Sequence, residues 1–252
     1  MPLHVSQPAR YVTQVVIDNQ AKRNAMSRVM MAELAELWDQ LNADAGCRCI
    51  ILTGAGDKAY CAGADIGGDL SASEETAHLV NRALLKTTTF TKPIVSAVNG
   101  DCAGGGVELL LATDIRIAAQ HARFGLPEVK WSIYPFGGAT IKLVQQIGYV
   151  HAMDLLLTGR LIDAESAAQI QLINRIASGA SVLDEAIATA SMIAANSPDA
   201  VQAVKQQISH GIAEHALSRE VMEQELGDRV RAGQNFTEGV TAFREKRNPN
   251  YD

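Results

Sequence analysis

Three consecutive glycines, Gly104 to Gly106, stand where a predicted strand passes into a predicted helix that carries Glu108. Glycines allow another backbone or a ligand to approach closely, and the first turn of a helix has unpaired N–H groups. Such a turn can hold a phosphate or stabilise a developing oxyanion. The G-x-G-x-x-G pattern is missing, and no Gly-Lys-Ser/Thr follows, so both nucleotide fingerprints are absent. A tight strand-to-helix crossing without any chemistry is the alternative.

A second glycine element, Ala62-Gly63-Ala64-Asp65-Ile66, also follows a predicted strand. It can supply another backbone N–H group. Two amides that converge on one carbonyl oxygen form an oxyanion hole.

Two glutamates lie near these glycines in the sequence. Glu108 follows the glycine cluster by one helical turn, and Glu128 lies in a loop that Gly125 and Pro127 indicate. Paired carboxylates divide acid and base roles when their surroundings separate their pKa values. Taken singly, each glutamate is as easily read as a solvated surface residue.

Alternating strands and helices must position these groups. Residues 11–18, 48–53, 93–98 and 114–118 are predicted strands, apolar on both faces, and residues 27–41 and 74–90 are predicted helices, the first capped by Ser27. Strands without polar alternation, separated by helices, are typical of a mainly parallel α/β arrangement.

Beyond Phe136 the pattern becomes helix after helix. Ser197-Pro198 predicts a helix start, with Ser197 as N-cap and proline in the first turn. Phe236, Val240 and Phe243 form a stripe too narrow for a core of its own. We therefore predict a core over residues 1–196 and a helical C-terminal region over residues 197–252, which packs against the core or against another subunit.

Composition excludes several classes of protein. The chain of 252 residues has a net charge of −6, which disfavours binding to nucleic acids or anionic membranes. No apolar run reaches the roughly 20 residues of a membrane span, and no targeting peptide is visible, so we expect a cytoplasmic protein. The four cysteines and six histidines lack the spacing of metal ligands, so we expect no metal site.

Taken together, these segments resemble the crotonase (enoyl-CoA hydratase/isomerase) superfamily. The resemblance covers nearly the whole chain, in order, and its combination of motifs is specific. The matching segments are DNQAKRNA at 18–25, AGADI at 62–66, NG at 99–100, GGGVEL at 104–109, FGLPE at 124–128, PFGG at 135–138, LTGRLIDAE at 157–165 and AFREKR at 242–247.

This resemblance implies an α/β fold, a crotonase-like spiral of stacked ββα turns with a helical C-terminal extension. It implies an acyl-CoA thioester as the ligand, whose carbonyl oxygen the amides of Ala64 and Gly105 hold while an enolate forms. Glu108 and Glu128 match the two glutamates of the hydratases. Glu108 is assigned mainly to activating water, and Glu128 mainly to protonating carbon.

The resemblance also implies where coenzyme A binds, as part of the substrate rather than as a cofactor. Lys22 and Arg23 match cationic groups near its phosphates, with solvated surface charges as the alternative. Residues Ala62, Ala64, Asp65 and Ile66 match the segment that contacts the adenine. Phe243 and Lys246 match residues near the coenzyme A of a neighbouring subunit, in a homotrimer or a dimer of trimers.

One segment departs from the family pattern. Residues 131–136, Trp-Ser-Ile-Tyr-Pro-Phe, are bulkier than the glycine-rich stretch of typical straight-chain hydratases. They either shorten the acyl pocket or pack in the core. Because the fold hosts several reactions, an isomerase or another acyl-CoA reaction is the alternative to a hydratase. A non-catalytic or RNA-binding relative fits less well with two glutamates and a negative net charge.

Overall fold

The computed structural model describes residues 3–65, 74–178 and 181–251. Its larger sheet has the strand order β1-β2-β3-β5-β7-β10. All neighbouring strands in it are parallel except β1 and β2, as the sequence predicts for a mainly parallel sheet. The strands are β1 Leu3–Ala9, β2 Val12–Ile17, β3 Cys49–Gly54, β5 Ile94–Val98, β7 Ile115–Ala118 and β10 Arg175–Ile176.

A smaller sheet, ordered β4-β6-β8-β9, lies beside the first. Its strands are β4 Ala59–Cys61, β6 Asp101–Ala103, β8 Arg123–Gly125 and β9 Leu161–Asp163. Each of β3, β5 and β7 runs in the larger sheet and is followed by β4, β6 or β8 in the smaller one. This repetition of paired strands confirms the predicted spiral of stacked turns.

The middle strands of the larger sheet are covered on both faces. Every residue of β3 and β5 is buried, which explains why these segments show no polar alternation. Helices α1 (Arg28–Ala43) and α7 (Val182–Ala194) lie on opposite faces. The Ser27 hydroxyl accepts the N–H of Met30 and caps α1, as predicted.

The second helix is shorter than the sequence predicts. Helix α2 covers Glu74–Ala83, and the chain then turns at Leu85, whose φ is 46°. The buried Trp38 indole N–H donates to the Ala83 carbonyl at 2.9 Å. This contact with Trp38 therefore ends α2 at Ala83, although the apolar pattern of the sequence continues to Phe90.

Helices dominate the last part of the chain, as predicted. The remaining helices are α3 Gly105–Leu110, α4 Ala139–Ile147, α5 Tyr149–Thr158, α6 Ala164–Gln169, α8 Pro198–Ala232 and α9 Gln234–Glu245, with short 3-10 helices at Gln20–Lys22 and Pro127–Trp131. Pro198 opens α8, but the Ser197 side chain makes no capping hydrogen bond, so that detail of the prediction is wrong. No helix in the described residues is both long and apolar enough to span a membrane.

Candidate active site

Two backbone amides meet where β4 and β6 of the smaller sheet lead into α3. Gly63 has φ of 97°, and a Cβ atom there would lie 3.0 Å from the Gly105 nitrogen, so only glycine fits. Met26 fixes the following residues, because its N–H donates to the Gly63 carbonyl at 2.8 Å and its carbonyl accepts the Asp65 N–H at 2.9 Å. The N–H of Ala64 is thereby set beside the first residue of α3.

The backbone N–H groups of both predicted oxyanion donors remain free of backbone hydrogen bonds to other described residues. Between described residues, neither Ala64 nor Gly105 donates a backbone hydrogen bond. Gly105 is the first residue of α3, where the N–H has no partner within the helix. The structure thus brings the two amides together, and their role as an oxyanion hole stays a prediction.

Glu108 is buried beneath this turn, with 5% of its surface exposed. Its Oε1 accepts the Ala139 N–H at 3.3 Å. A Cβ atom on Gly137 would lie 2.5 Å from its Oε2, so glycine there makes room for the carboxylate. Burial is the main cause that raises the pKa of Glu108, to about 7, with a smaller contribution from the negative charge of Glu223.

Glu128 comes from the 3-10 helix Pro127–Trp131. Its Oε1 lies beside Gly104, where a Cβ atom would be 3.0 Å away. Its Oε2 is buried and has no hydrogen-bond partner among the residues described. Burial, together with the negative charge of Glu108, raises the pKa of Glu128 to about 8. An unsatisfied buried carboxylate oxygen is expensive in free energy unless a ligand or a proton satisfies it.

The two glutamates therefore form a coupled pair that holds a proton near neutral pH. Because ionisation of one disfavours ionisation of the other, the observable pKa values belong to the pair. A pair in this state has one group that can give a proton and one that can accept a proton. Glu128 lies beside Gly104, so the arrangement supports acid–base chemistry on a ligand atom held between Gly104 and the Glu108 carboxylate.

The same pair should make stability depend on pH. The unfolded carboxyls release their protons near pH ~4.3, whereas in the folded protein the pKa of Glu108 is raised to about 7 and that of Glu128 to about 8. Folded protein binds more protons across that window, so the free energy of unfolding falls as pH rises through it. Urea unfolding at several pH values measures this slope. The Glu108→Gln/Glu128→Gln variant should show a shallower one, and equal slopes would contradict the shared proton.

The residues predicted for the coenzyme A phosphates lie beside the first amide. Lys22 Nζ contacts Asp65 Oδ2 at 2.6 Å, and Arg23 contacts Asp101 at 3.5 Å. Both cationic side chains are exposed. Ala62 N–H donates to the Arg23 carbonyl at 3.1 Å, so the two segments share one edge. Ile66, predicted for the same segment, lies outside the described residues.

Phe243 and Lys246 belong to a different part of the surface. The Phe243 ring packs edge-on against Trp131, with ring centroids 5.2 Å apart, and Lys246 caps the end of α9. In the described ranges, no hydrogen bond or ion pair joins either residue to Lys22 or Arg23. In this chain α9 folds back on the turn that carries Glu128.

The bulky segment at residues 131–136 packs against the C-terminal helices, and its effect on the length of the acyl pocket stays a prediction. Trp131 packs against α9. Phe136 packs on Tyr134, and its ring lies so close to Gly227 of α8 that any side chain there would overlap it. Phe136 also lines a cavity of about 70 Å³ between α2 and α8. The segment thus joins the site to the C-terminal helices and lines part of a pocket.

Two further residues near the Glu108–Glu128 pair were not predicted from any pattern in the sequence. Lys86 and Glu223 form an ion pair with 4% and 3% of their side chains exposed. Lys86 ends an apolar run, and Glu223 lies on a helix with charges on every side. Only the fold reveals that they meet.

Comparisons with known proteins agree with this geometry. The sequence model of the enoyl-CoA hydratase/isomerase family matches residues 9–252. An enoyl-CoA hydratase of Mycobacterium tuberculosis is 39% identical over 244 residues, which cover 94% of this chain and 91% of the relative. An (E)-benzylidenesuccinyl-CoA hydratase of Thauera aromatica is 34% identical over 98% of this chain and 96% of its own.

The fold has close counterparts among solved structures. The crystal structure of a carnitinyl-CoA hydratase from Mycobacterium avium superimposes with a TM-score of 0.90 at 31% identity, covering 100% of this chain and 98% of the other. This likeness confirms the predicted crotonase-like fold. A match over almost the full sequence and the full fold shows that the chain belongs to the enoyl-CoA hydratase/isomerase family of the crotonase superfamily.

Proposed function

We propose that this protein adds water to the double bond of a 2-enoyl-CoA thioester, or removes water in the reverse direction. The observation that carries the proposal is the Glu108–Glu128 pair, two buried carboxyls with raised pKa values beside two unpaired amides. Isomerisation can proceed with one carboxylate, so a retained pair favours hydration. Relatives named as hydratases support the same choice.

In this mechanism the thioester carbonyl accepts hydrogen bonds from the N–H groups of Ala64 and Gly105. Glu108 takes a proton from a water molecule as the water oxygen bonds to the β-carbon, and the carbon–carbon π electrons move toward the carbonyl to give an enolate. The enolate charge rests on the oxygen between the two amides. Glu128 then delivers a proton to the α-carbon, and the enolate collapses to the saturated thioester.

In this proposal coenzyme A lies around the Ala64 amide. Lys22 and Arg23 are the cationic groups for its phosphates, and Ala62, Ala64 and Asp65 supply the backbone edge for its adenine. Coenzyme A is thus a part of the substrate, and the mechanism uses no separate cofactor. The cytoplasmic location stays a prediction.

Mass spectrometry tests the reaction directly. Purified protein mixed with a panel of 2-enoyl-CoA thioesters should give at least one product heavier by one water molecule. The Glu108→Gln/Glu128→Gln variant serves as the control and should give none. A product of unchanged mass with a shifted double bond would indicate an isomerase instead, and no product from any thioester would contradict the proposal.

We also propose a trimer or a dimer of trimers, with part of α8 at the contact. Large apolar side chains lie exposed along α8, with pairs one helical turn apart; they are Val204, Ile208, Leu217, Val221 and Met222. Exposed apolar patches of this kind mark association surfaces. We also propose that residues 224–247 lie at or near a subunit contact. In that range Phe243 packs against Trp131 of its own chain, yet 39% of its surface is exposed.

Sedimentation equilibrium tests the assembly. The native protein should have the mass of three or six chains at micromolar concentration. Val204→Glu/Ile208→Glu places two charges on the exposed stripe and should give monomers, whereas Val5→Glu, at an exposed apolar residue of β1, should not change the mass. A native monomer would contradict the proposal.

A further inference from the structure

The buried ion pair between Lys86 and Glu223 joins two distant parts of the chain. Lys86 follows the turn after α2, and Glu223 lies on the seventh turn of α8. Glu223 Oε2 contacts Lys86 Nζ, and both side chains are almost fully buried. Burying two charges costs desolvation free energy, and the same space filled with apolar side chains is often at least as stable. Fold stability alone therefore gives a weak reason for these residues.

The pair lies directly beside Glu108. Gly137 and Gly138 are consecutive: a Cβ atom on the first would be 2.5 Å from Glu108 Oε2, and one on the second would be 3.1 Å from Lys86 Cγ. The Glu108 carboxylate and the Lys86 side chain are thus separated by one stretch of backbone with no side chains. Charges close together in a buried site act more strongly on each other than charges in water.

Other contacts hold Glu223 in position. The Thr140 hydroxyl donates to Glu223 Oε1 at 3.2 Å, and the Tyr134 hydroxyl donates to Thr140 at 3.4 Å. Phe136 packs against Gly227, one helical turn further along α8. Tyr134, Phe136 and Thr140 belong to the same segment as Gly137 and Ala139, which contact the Glu108 carboxylate. This segment therefore ties α8 to the site.

Several charged or titratable groups act on Glu108. Glu128 comes from the 3-10 helix and Lys142 from α4, with Tyr134 before α4. Lys142 donates to the Leu85 carbonyl at 2.7 Å, and burial lowers its pKa to about 7. Lys86 and Glu223 are the other two charged groups that act on Glu108.

The charges of Lys86 and Glu223 have opposite effects on Glu108. The negative charge of Glu223 opposes ionisation of Glu108, whereas the positive charge of Lys86 favours it.

We propose that Lys86 and Glu223 are positioning residues for the reaction, whose opposed buried charges keep Glu108 in its working protonation state. The proposal rests on the proposed hydration, in which Glu108 activates water. With both charges present, each offsets part of the other's effect on Glu108. If either charge is removed, the other acts alone, and the two removals act in opposite directions.

A series of variants in which each charge is neutralised tests this balance. The pH profile of kcat/KM is measured for native protein, Glu223→Gln, Lys86→Met and the double variant. Glu223→Gln should shift the limb that reports Glu108 by about 1 unit toward low pH, because one nearby charge changes. Lys86→Met should shift that limb toward high pH, and the double variant should return close to the native profile. Glu225→Gln, exposed on the same helix, is the matched control and should not shift the profile.

A second readout needs no turnover. In the Glu128→Gln background, infrared titration follows the C=O band of the protonated Glu108 carboxyl, identified by its loss in Glu108→Gln. The titration midpoint should move down in Glu223→Gln and return in the double variant, which suffices if Lys86→Met fails to fold. Midpoints that stay fixed, or move the same way in both single variants, would overturn the proposal. Because this band titrates whether or not water is added to a thioester, the measurement separates this proposal from the proposed hydration.

Discussion

Glu108→Gln and Glu128→Gln should each lower kcat for hydration at least ~10²-fold, the lower range for loss of a general acid or base. Glutamine keeps the size of the side chain, and its carbonyl oxygen can still accept the Ala139 N–H at position 108. It can neither take a proton from water nor give one to carbon. The variants therefore remove proton transfer and leave the packing of the site in place.

Steady-state kinetics on the best thioester of the panel measures this loss, with Glu36→Gln on the exposed face of α1 as the matched control. The control should keep native turnover. Near-native turnover in either active-site variant would contradict a mechanism that needs both carboxyls. Thermal unfolding of each variant shows whether the fold is retained.

Gly105→Pro is the second large effect that we expect. Proline is well tolerated in the first turn of a helix, and Gly105 is the first residue of α3, so the fold should survive. The substitution removes one of the two N–H groups that we propose hold the thioester oxygen. Loss of one such donor lowers kcat by about 10²–10³-fold.

Calorimetry with acetoacetyl-CoA gives a reading that does not depend on turnover. Its enolate oxygen suits an oxyanion hole, so the native protein should bind it and Gly105→Pro should bind it much more weakly. Gly105→Ala keeps the N–H, and its Cβ atom would make ordinary contact with the Ala64 nitrogen at 3.4 Å. Alanine should therefore lose less than proline. Equal losses would show that steric filling, rather than the missing N–H, is the cause.

Much of the fold could be read from the sequence, because its strongest signals are local. The apolar runs of β3 and β5 and the glycines that follow them predict buried parallel strands and the turns after them. The motifs around Ala64, Gly105, Glu108 and Glu128 predict four groups that the structure brings to one place. Strand β1 was missed because it lies at the sheet edge and is mostly exposed, so its sequence carries little apolar pattern.

Other features depend on contacts between segments far apart in the chain. The C-terminal stripe at Phe236, Val240 and Phe243 predicts that α9 is covered, yet a stripe cannot say whether its own chain or another covers it. The early end of α2 follows from its packing on Trp38. The Lys86–Glu223 pair is visible in no local pattern, since each residue is ordinary among its neighbours in sequence.

The Lys86–Glu223 ion pair also bears on folding during synthesis, because its two residues leave the ribosome at different times. A nascent chain that has emerged as far as α7 already contains both glutamates and both amides of the site. It does not yet contain α8, so Lys86 lacks the carboxylate of Glu223. Because an unpaired buried charge is strongly unfavourable, Lys86 should stay hydrated until Glu223 arrives. We therefore expect the active site to be complete only after α8 has been synthesised.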